Sequence, residues 1–230
     1  MKKLVALTGA GISAESGIKT FRDADGLWEG HDIMEVASPV GFNKNPSLVL
    51  DFYNQRRRQL NEVSPNAAHF ALKQLESVFS TWIITQNVDD LHERAGSQNI
   101  VHLHGQLKKV RSLGPPYQVY DWTEDLSLND KCERGYGLRP HIVWFGEEVP
   151  EMDNAIALIK DADVVLVIGS SMQVYPAAGL VGFAPPDAEV IYIDPRPKIS
   201  YELSVRKKLK IFAKSATEGM NDFLKLYDLG

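Results

Sequence analysis

Short apolar runs recur along this chain of 230 residues, each closed by Gly, Asn or Asp: "LVALT" (4–8), "TWIIT" (81–85), "NIVHLHG" (99–105), "DVVLVIGS" (163–170) and "EVIYID" (189–194). They are continuous rather than alternating, which suits strands covered on both faces, as in a parallel sheet. Helical periodicity fills the intervals. Ser64 and Pro65 read as an N-cap and first helical residue ahead of "NAAHFALKQLES", and "PEMDNAIALIKDA" (150–162) and "ATEGMNDFLKLYD" (216–228) continue the pattern. Strand and helix in alternation predict an α/β fold with a doubly wound, Rossmann-like parallel sheet.

Two stretches interrupt the alternation. Residues 27–62 contain a helical pattern, "PSLVLDFYNQRRRQLNE", far from any β–α unit, and residues 108–140 are rich in Gly, Pro and turn residues. The expected organisation is one domain over 1–230. Its large lobe comes from 1–26, 63–107 and 141–230, and its small lobe from a helical insert (27–62) and a β- and turn-rich insert (108–140), with a cleft between.

Composition narrows the function classes. A net charge of −5 argues against nucleic acid as the main partner. No apolar run approaches the roughly 18–20 residues of a membrane span. The opening "MKKLVALTGAG" has too short an apolar run for a signal segment and reads as a buried first strand. Cys132 is the one cysteine, so no internal disulfide forms and a cytoplasmic location is expected.

Candidate chemistry clusters at the ends of the predicted strands. Gly9-Ala10-Gly11 followed by Ala14 fits a loose dinucleotide fingerprint, in which glycines let a pyrophosphate approach backbone N–H groups. The same glycines could merely pack a helix on a strand. Ser13, Glu15 and Ser16 would contact ribose or phosphate, or cap the helix. Gln86, Asn87 and Asp89 follow a strand, where an amide pair suits a carboxamide or ribose; helix capping is the plainer reading. His102 and His104 lie two apart on a predicted strand and would share a face, but no Cys or carboxylate completes a metal set. His104, just before Gly105, is the better general base, although a single histidine is usually structural. Gly169, Ser170 and Ser171 offer backbone donors and hydroxyls at a fourth strand end, or an ordinary turn. Asp194 could accept from a ribose 2′-hydroxyl and repel the extra phosphate of NADP, or serve as the turn residue before Pro195.

In order along most of the chain, "GAGISAESGI", "FRDADGLW", "TQNVDDLHERAG", "HLHG", "LRPHIVWFGE" and "GSSMQVYPAAG" closely resemble the sirtuins, NAD-dependent protein-lysine deacylases. The resemblance implies that NAD is consumed rather than used as a redox carrier. Gly9, Ala10, Gly11, Glu15, Phe21 and Arg22 would line the pyrophosphate and nicotinamide-ribose site, and Ser13 and Trp28 would also bind the cofactor. Gln86, Asn87 and Asp89 would hold the ribose and carboxamide, and Gly169, Ser170, Ser171, Asp194 and Ala216 the adenosine end. His104 would be the catalytic base, with Asn87 beside it. Val143, Trp144, Phe145 and Gly146 match the segment on which family members lay an acyl-lysine peptide as an added strand. The acyl oxygen would attack the ribose as nicotinamide leaves, His104 would take a proton from a ribose hydroxyl, and Phe21 would exclude water until the acyl group has moved. The products would be lysine, nicotinamide and O-acyl-ADP-ribose.

Tyr53 and Arg56 are three apart in "FYNQRRRQL" and would point the same way on a helix, which otherwise reads as a surface helix with three arginines. In the class III branch of sirtuins, the desuccinylases and demalonylases, a Tyr-x-x-Arg on this helix holds the acyl carboxylate. The resemblance to bacterial members of that branch implies this role for Tyr53 and Arg56, with Ala37 leaving room for a long acyl chain. Arg57 and Arg58 would face solvent or a partner. Many sirtuins carry a four-cysteine zinc site, of which only Cys132 remains here. No zinc is expected; Tyr117, Tyr120, Trp122 and Leu138 would hold the lobe instead. Asp194 stands where asparagine is commoner in the family. The expected partners are acyl-lysine proteins, with no nucleic acid or membrane, and the chain is expected to be a monomer. The rival readings are an NAD-dependent dehydrogenase, a protein ADP-ribosyltransferase and a non-enzymatic NAD sensor.

Overall fold

The structure, a computed structural model, describes residues 1–19, 27–28 and 30–229, with Leu27 and Trp28 described by backbone alone. Its strands are β1 (Lys3–Thr8), β2 (Leu27–Trp28), β3 (His31–Asp32), β4 (Ser80–Thr85), β5 (Ile100–His102), β6 (Gly105–Ser112), β7 (Val119–Asp121), β8 (Leu138–Ile142), β9 (Val164–Ile168), β10 (Glu189–Ile193) and β11 (Leu209–Phe212). The α-helices are α1 (Gly11–Ala14), α2 (Ile33–Val36), α3 (Pro39–Lys44), α4 (Pro46–Gln59), α5 (Ala67–Leu75), α6 (Leu91–Arg94), α7 (Met152–Ile159), α8 (Tyr201–Ser204) and α9 (Ala216–Lys225).

Six strands form one parallel sheet in the order β11-β10-β9-β1-β4-β5. The continuous apolar runs follow from cover on both faces. Along β1, Val5 and Leu7 join one core with Ala155 and Ile159 of α7 and with Leu180 and Val181. Leu4 and Ala6 join the opposite core with Leu72 of α5 and with Met220 and Phe223 of α9. Each fully buried Leu or Phe stabilises the fold by roughly 1.5–3 kcal/mol. The sheet is therefore doubly wound, with β1 between strands that extend it in both directions, and the loops beyond its carboxyl ends meet at one crevice.

Two local expectations need correction. The run "NIVHLHG" is not one strand: β5 ends at His102, Leu103 and His104 turn, and β6 begins at Gly105. His102 and His104 therefore do not share a strand face. Helix α5 is capped by Asn66, not Ser64; the Asn66 side chain accepts from the N–H of Ala68, and the His69 ring accepts from the backbone N–H of Asn66. Edge strand β11 lies outside the predicted runs, because Lys210 and its partly exposed neighbours break the apolar run that marks the inner strands.

A second sheet, antiparallel in the order β7-β6-β8, occupies residues 105–142. It shares a core with α2, α3 and α4 through Val36, Phe42, Phe52, Leu107, Val110 and Trp144. What ties the helix to these strands is Arg57. It is not solvated but 1% exposed, and it donates to the carbonyls of Leu107 (2.9 Å) and Glu124 (3.2 Å) and to Oδ1 of Asn54 (2.7 Å). Asn54 in turn exchanges two hydrogen bonds with the backbone of Leu126. Arg58 is exposed and pairs with Asp125. Tyr117 is also exposed, so it does not hold this sheet, whereas Leu138 is buried and Tyr120 and Trp122 are partly so. No described helix is long and apolar enough to cross a membrane.

Candidate active site

The loops after β1 and β9 interlock through glycines. Gly11 donates its N–H to the carbonyl of Gly169 at 2.8 Å, and Gly9 donates to Ile168 at 3.0 Å. Gly169 has φ +60°, and a Cβ there would lie 2.3 Å from the backbone nitrogen of Ile12. The two glycine turns thus need each other to approach this closely. Ala10 and Gly11 remain partly exposed at the crevice.

Beside them lies a buried trio. Ser13 donates its hydroxyl to Oδ2 of Asp89 (3.0 Å) and accepts from the Asn87 amide (3.1 Å). Oδ1 of Asp89 accepts from the N–H of Leu91, the first residue of α6. Burial pushes the Asp89 carboxyl up, and the bonds from Leu91 and Ser13 only partly offset it. Asp89 therefore ties the start of α6 to Ser13, and through Ser13 it orients Asn87. Gln86, half-buried, donates its amide to the Ser170 hydroxyl at 3.1 Å, bridging the loops after β4 and β9.

His104 faces the same crevice edge. Its Nδ1 lies 3.1 Å from the carbonyl oxygen of Gln86. A carbonyl can only accept, so Nδ1 carries the hydrogen and the neutral ring keeps its lone pair on Nε2. Burial lowers the imidazole below its ordinary value, which the Gln86 bond opposes without reversing. The ring is thus a neutral base near pH 7. His102 holds the next carbonyl, that of Asn87 (3.2 Å), and its Nε2 lies 2.6 Å from Glu93.

At the far end, Ser170 is buried and Ser171 half-buried, and the Tyr192 hydroxyl donates to the Ser170 carbonyl at 2.9 Å. Asp194 is 3% exposed, and its Oδ1 accepts from the N–H of Arg196, which makes it a turn aspartate as well as a candidate ligand. Glu15, just past α1, is tied to the start of α9. Its carboxylate accepts from the Ser215 hydroxyl and from the N–H and hydroxyl of Thr217, at the first turn of α9 beside Ala216. Desolvation would raise the Glu15 carboxyl, but these bonds outweigh it and hold it below the ordinary range. Phe21 and Arg22 lie outside the described residues, as does the side chain of Trp28.

A second group lies where α4 meets the segment after β8. The N–H of Phe145 donates to the carbonyl of Ala37 at 2.9 Å, and that of Val143 to His104 at 2.9 Å. Trp144 is buried, Phe145 and Gly146 are exposed and Val143 is half-buried. Tyr53 is fully buried, and its hydroxyl accepts from the Trp144 indole N–H at 3.0 Å. Burial drives the Tyr53 phenol well above its ordinary range, although Trp144, Arg139 and Arg56 pull the other way. Arg56, half-buried, lies with its guanidinium 3.8 Å over the Phe52 ring and donates to the Phe52 carbonyl.

Several contributors escaped the sequence reading. The Thr8 hydroxyl meets Nε2 of His92 at 3.0 Å, and the rings of His92 and His69 pack 4.9 Å apart beneath the glycine turn. Glu147 binds Arg139 through both oxygens and also takes Arg111 and the N–H of Trp144. The acidic residue of "WFGE" was a visible signal; its two arginines, far apart in sequence, were not. Cys132 is buried, with its sulfur 3.5 Å from the Ser112 hydroxyl. No group of three or more His, Cys, Asp or Glu suited to a metal occurs among the described residues.

Comparison with known proteins agrees with this geometry. The Sir2 family profile matches residues 9–176. A Helicobacter pylori protein named NAD-dependent protein deacylase is 59% identical over 224 residues, covering 97% of this chain and 96% of that protein. A Bacteroides thetaiotaomicron protein of the same name is 49% identical over 232 residues, with 98% of each covered. Among solved structures, a Sir2 homologue in complex with NAD superposes with a TM-score of 0.87 at 39% identity, covering 100% of this chain and 91% of the other. Sir2 bound to acetylated peptide superposes with a TM-score of 0.81 at 27% identity, covering 99% and 94%. The doubly wound sheet, the glycine turns and the likeness over nearly the whole length lead to one conclusion: the chain belongs to the Sir2 family.

Proposed function

We propose that this chain is an NAD-dependent protein-lysine deacylase that accepts acidic acyl groups, succinyl and malonyl, as well as acetyl. The observation that carries the deacylase reading is the His104–Gln86 bond, which leaves Nε2 of a neutral imidazole as a base at the crevice. The names of the relatives and the NAD-bound neighbour support it.

The donor set at the crevice fits NAD. Neutral amides (Gln86, Asn87) and hydroxyls (Ser13, Ser170, Ser171) suit ribose hydroxyls and a carboxamide, and the buried Asp194 carboxylate disfavours a 2′-phosphate. When bound, NAD supplies the electrophilic ribose carbon and nicotinamide as its leaving group. His104 accepts a proton from a sugar hydroxyl at Nε2, and the Gln86 carbonyl stabilises the imidazolium that forms. Ser13, held by Asp89, keeps the Asn87 amide aimed at the same sugar. Val143 to Gly146 supply the edge on which the acyl-lysine backbone lies.

The acidic-acyl reading rests on Tyr53 and Arg56, which share one side of α4 and lie close enough for the guanidinium charge to act on the phenol. A guanidinium makes a bidentate, charge-assisted contact with a carboxylate, and a phenol adds a neutral donor. Ala37, buried and carrying only a methyl group, accepts from the N–H of Phe145 through its carbonyl. The test is a side-by-side assay of matched acetyl- and succinyl-lysine peptides, following nicotinamide release. The unaltered enzyme turns over both with no reduced-nicotinamide absorbance. Arg56→Met abolishes the succinyl reaction selectively, and indifference of that reaction to the change overturns the assignment.

A further inference from the structure

We infer that Trp144 is a positioning residue for acyl selectivity: its indole N–H holds the Tyr53 hydroxyl so that the phenol turns its hydrogen toward an acidic acyl group. The inference rests on the reading of Tyr53 and Arg56 given above.

The argument begins with donor and acceptor count. The Trp144 Nε1 and Tyr53 hydroxyl oxygen are 3.0 Å apart, between side chains 2% and 0% exposed. An indole nitrogen can only donate, so the phenol oxygen accepts and its own hydrogen takes no part in this bond. The hydroxyl rotor is thereby biased: the hydrogen points away from Trp144, the orientation in which it can donate to a carboxylate. The high pKa direction of the buried phenol keeps that hydrogen in place at any working pH.

Trp144 is itself held from three sides. The Arg139 guanidinium lies 3.2 Å over the indole ring, and the Phe42 ring packs at 5.2 Å. The backbone N–H of Trp144 donates to Oε2 of Glu147 at 2.8 Å, and Glu147 is gripped by Arg139 at 2.7 and 3.0 Å and by Arg111 at 2.8 Å. One contiguous chain of contacts therefore runs from β6 (Arg111) and β8 (Arg139), through Glu147 and Trp144, to Tyr53 on α4. The segment offered to the peptide backbone also sets the donor offered to the acyl tip.

The test is a double-mutant cycle read as the ratio of kcat/KM for succinyl-lysine to that for acetyl-lysine peptide, so that losses common to both substrates cancel. Trp144→Phe keeps an aromatic ring and removes the N–H. We expect it to lower the ratio roughly fivefold, the size of one neutral hydrogen bond, mainly through the succinyl KM. In a Tyr53→Phe background the same change leaves the ratio where Tyr53→Phe alone puts it. An unchanged ratio, or an equal drop in both backgrounds, overturns the inference. Arg56→Met is assayed alongside. If it collapses the ratio while Trp144→Phe does not, only the positioning role fails; if it has no effect, the acidic-acyl reading fails and takes this inference with it. Should Trp144→Phe not fold, the indole N–H resonance of Trp144 in the unaltered enzyme reads the same contact. Both peptides lie along this segment and move the resonance, but the succinyl peptide shifts it further than the acetyl peptide does, and an equal response to both overturns the proposal.

Discussion

His104 and Gln86 are joined at 3.1 Å, ring nitrogen to backbone carbonyl, across the ends of two neighbouring parallel strands. This contact decides which nitrogen of the ring can act as a base. In the proposed role of His104, it also makes the base depend on the loop that carries Gln86 and Asn87.

His104→Ala should therefore lower turnover by about 10²–10⁴-fold while NAD still binds, measured by nicotinamide release and by calorimetric titration of NAD. Burial lowers the His104 pKa from 6.5, and the base acts only when neutral. Activity falls as pH drops through that pKa, so the acid limb of kcat/KM should have its midpoint below 6.5. A midpoint well above that value contradicts the assignment.

Arg57→Met removes a buried fork that reaches three acceptors and strands the carbonyls of Leu107 and Glu124. The expected loss is on the order of 3 kcal/mol in urea unfolding. Arg57→Lys should recover only part of it, since a single ammonium cannot match the fork. An unmoved unfolding midpoint would sink the idea that Arg57 clamps α4 to the antiparallel sheet.

Gly169→Ala meets both a positive φ and a backbone nitrogen 2.3 Å from the new Cβ. We expect a cost above about 2 kcal/mol and weakened NAD binding, read by thermal melting with and without the dinucleotide. Gly135 is the control. Its φ is +82°, but a Cβ there meets nothing within 4 Å, so Gly135→Ala carries backbone strain alone and leaves NAD binding intact.

Acid should destabilise the fold before the carboxylates titrate. Desolvation pulls His69 from 6.5 to about 4, and desolvation together with nearby Arg111 and Lys109 does the same to His141. The unfolded chain then binds more protons than the folded one between these values. Stability is fully present above about 6.5 and is lost as pH falls toward 4. Between pH 7.5 and 5 each histidine should contribute on the order of 2 kcal/mol to the loss. His69→Gln should shrink the difference in melting temperature between those two pH values; an unchanged difference refutes this origin.

The inner strands were legible because burial on both faces demands unbroken apolar runs: β9 and β10 fall within the predicted runs, and β1 and β4 start one residue ahead of theirs. The family was legible because its motifs recur in order. Local syntax was less reliable. Asn66 rather than Ser64 caps α5 because a cap is chosen by which side chain reaches the open N–H groups. The apolar pattern of "NIVHLHG" continues across the turn at Leu103 and His104, where the chain leaves the parallel sheet for the antiparallel one. Arg57 looked solvated because charge is normally exposed, and nothing local announces acceptors 50 and 67 residues away.

By itself, then, the sequence determined the strand cores, the glycine turns and the kinds of residue at each strand end, since those depend on local pattern and on burial averaged along an element. Only the tertiary structure decided the tautomer of His104, the anchoring of Asn87 by Ser13 and Asp89, the burial of Arg57 and the bond from Trp144 to Tyr53, 91 residues away. Each of these turns on whether two distant polar atoms come within about 3 Å, and hydrophobic periodicity carries no information about that.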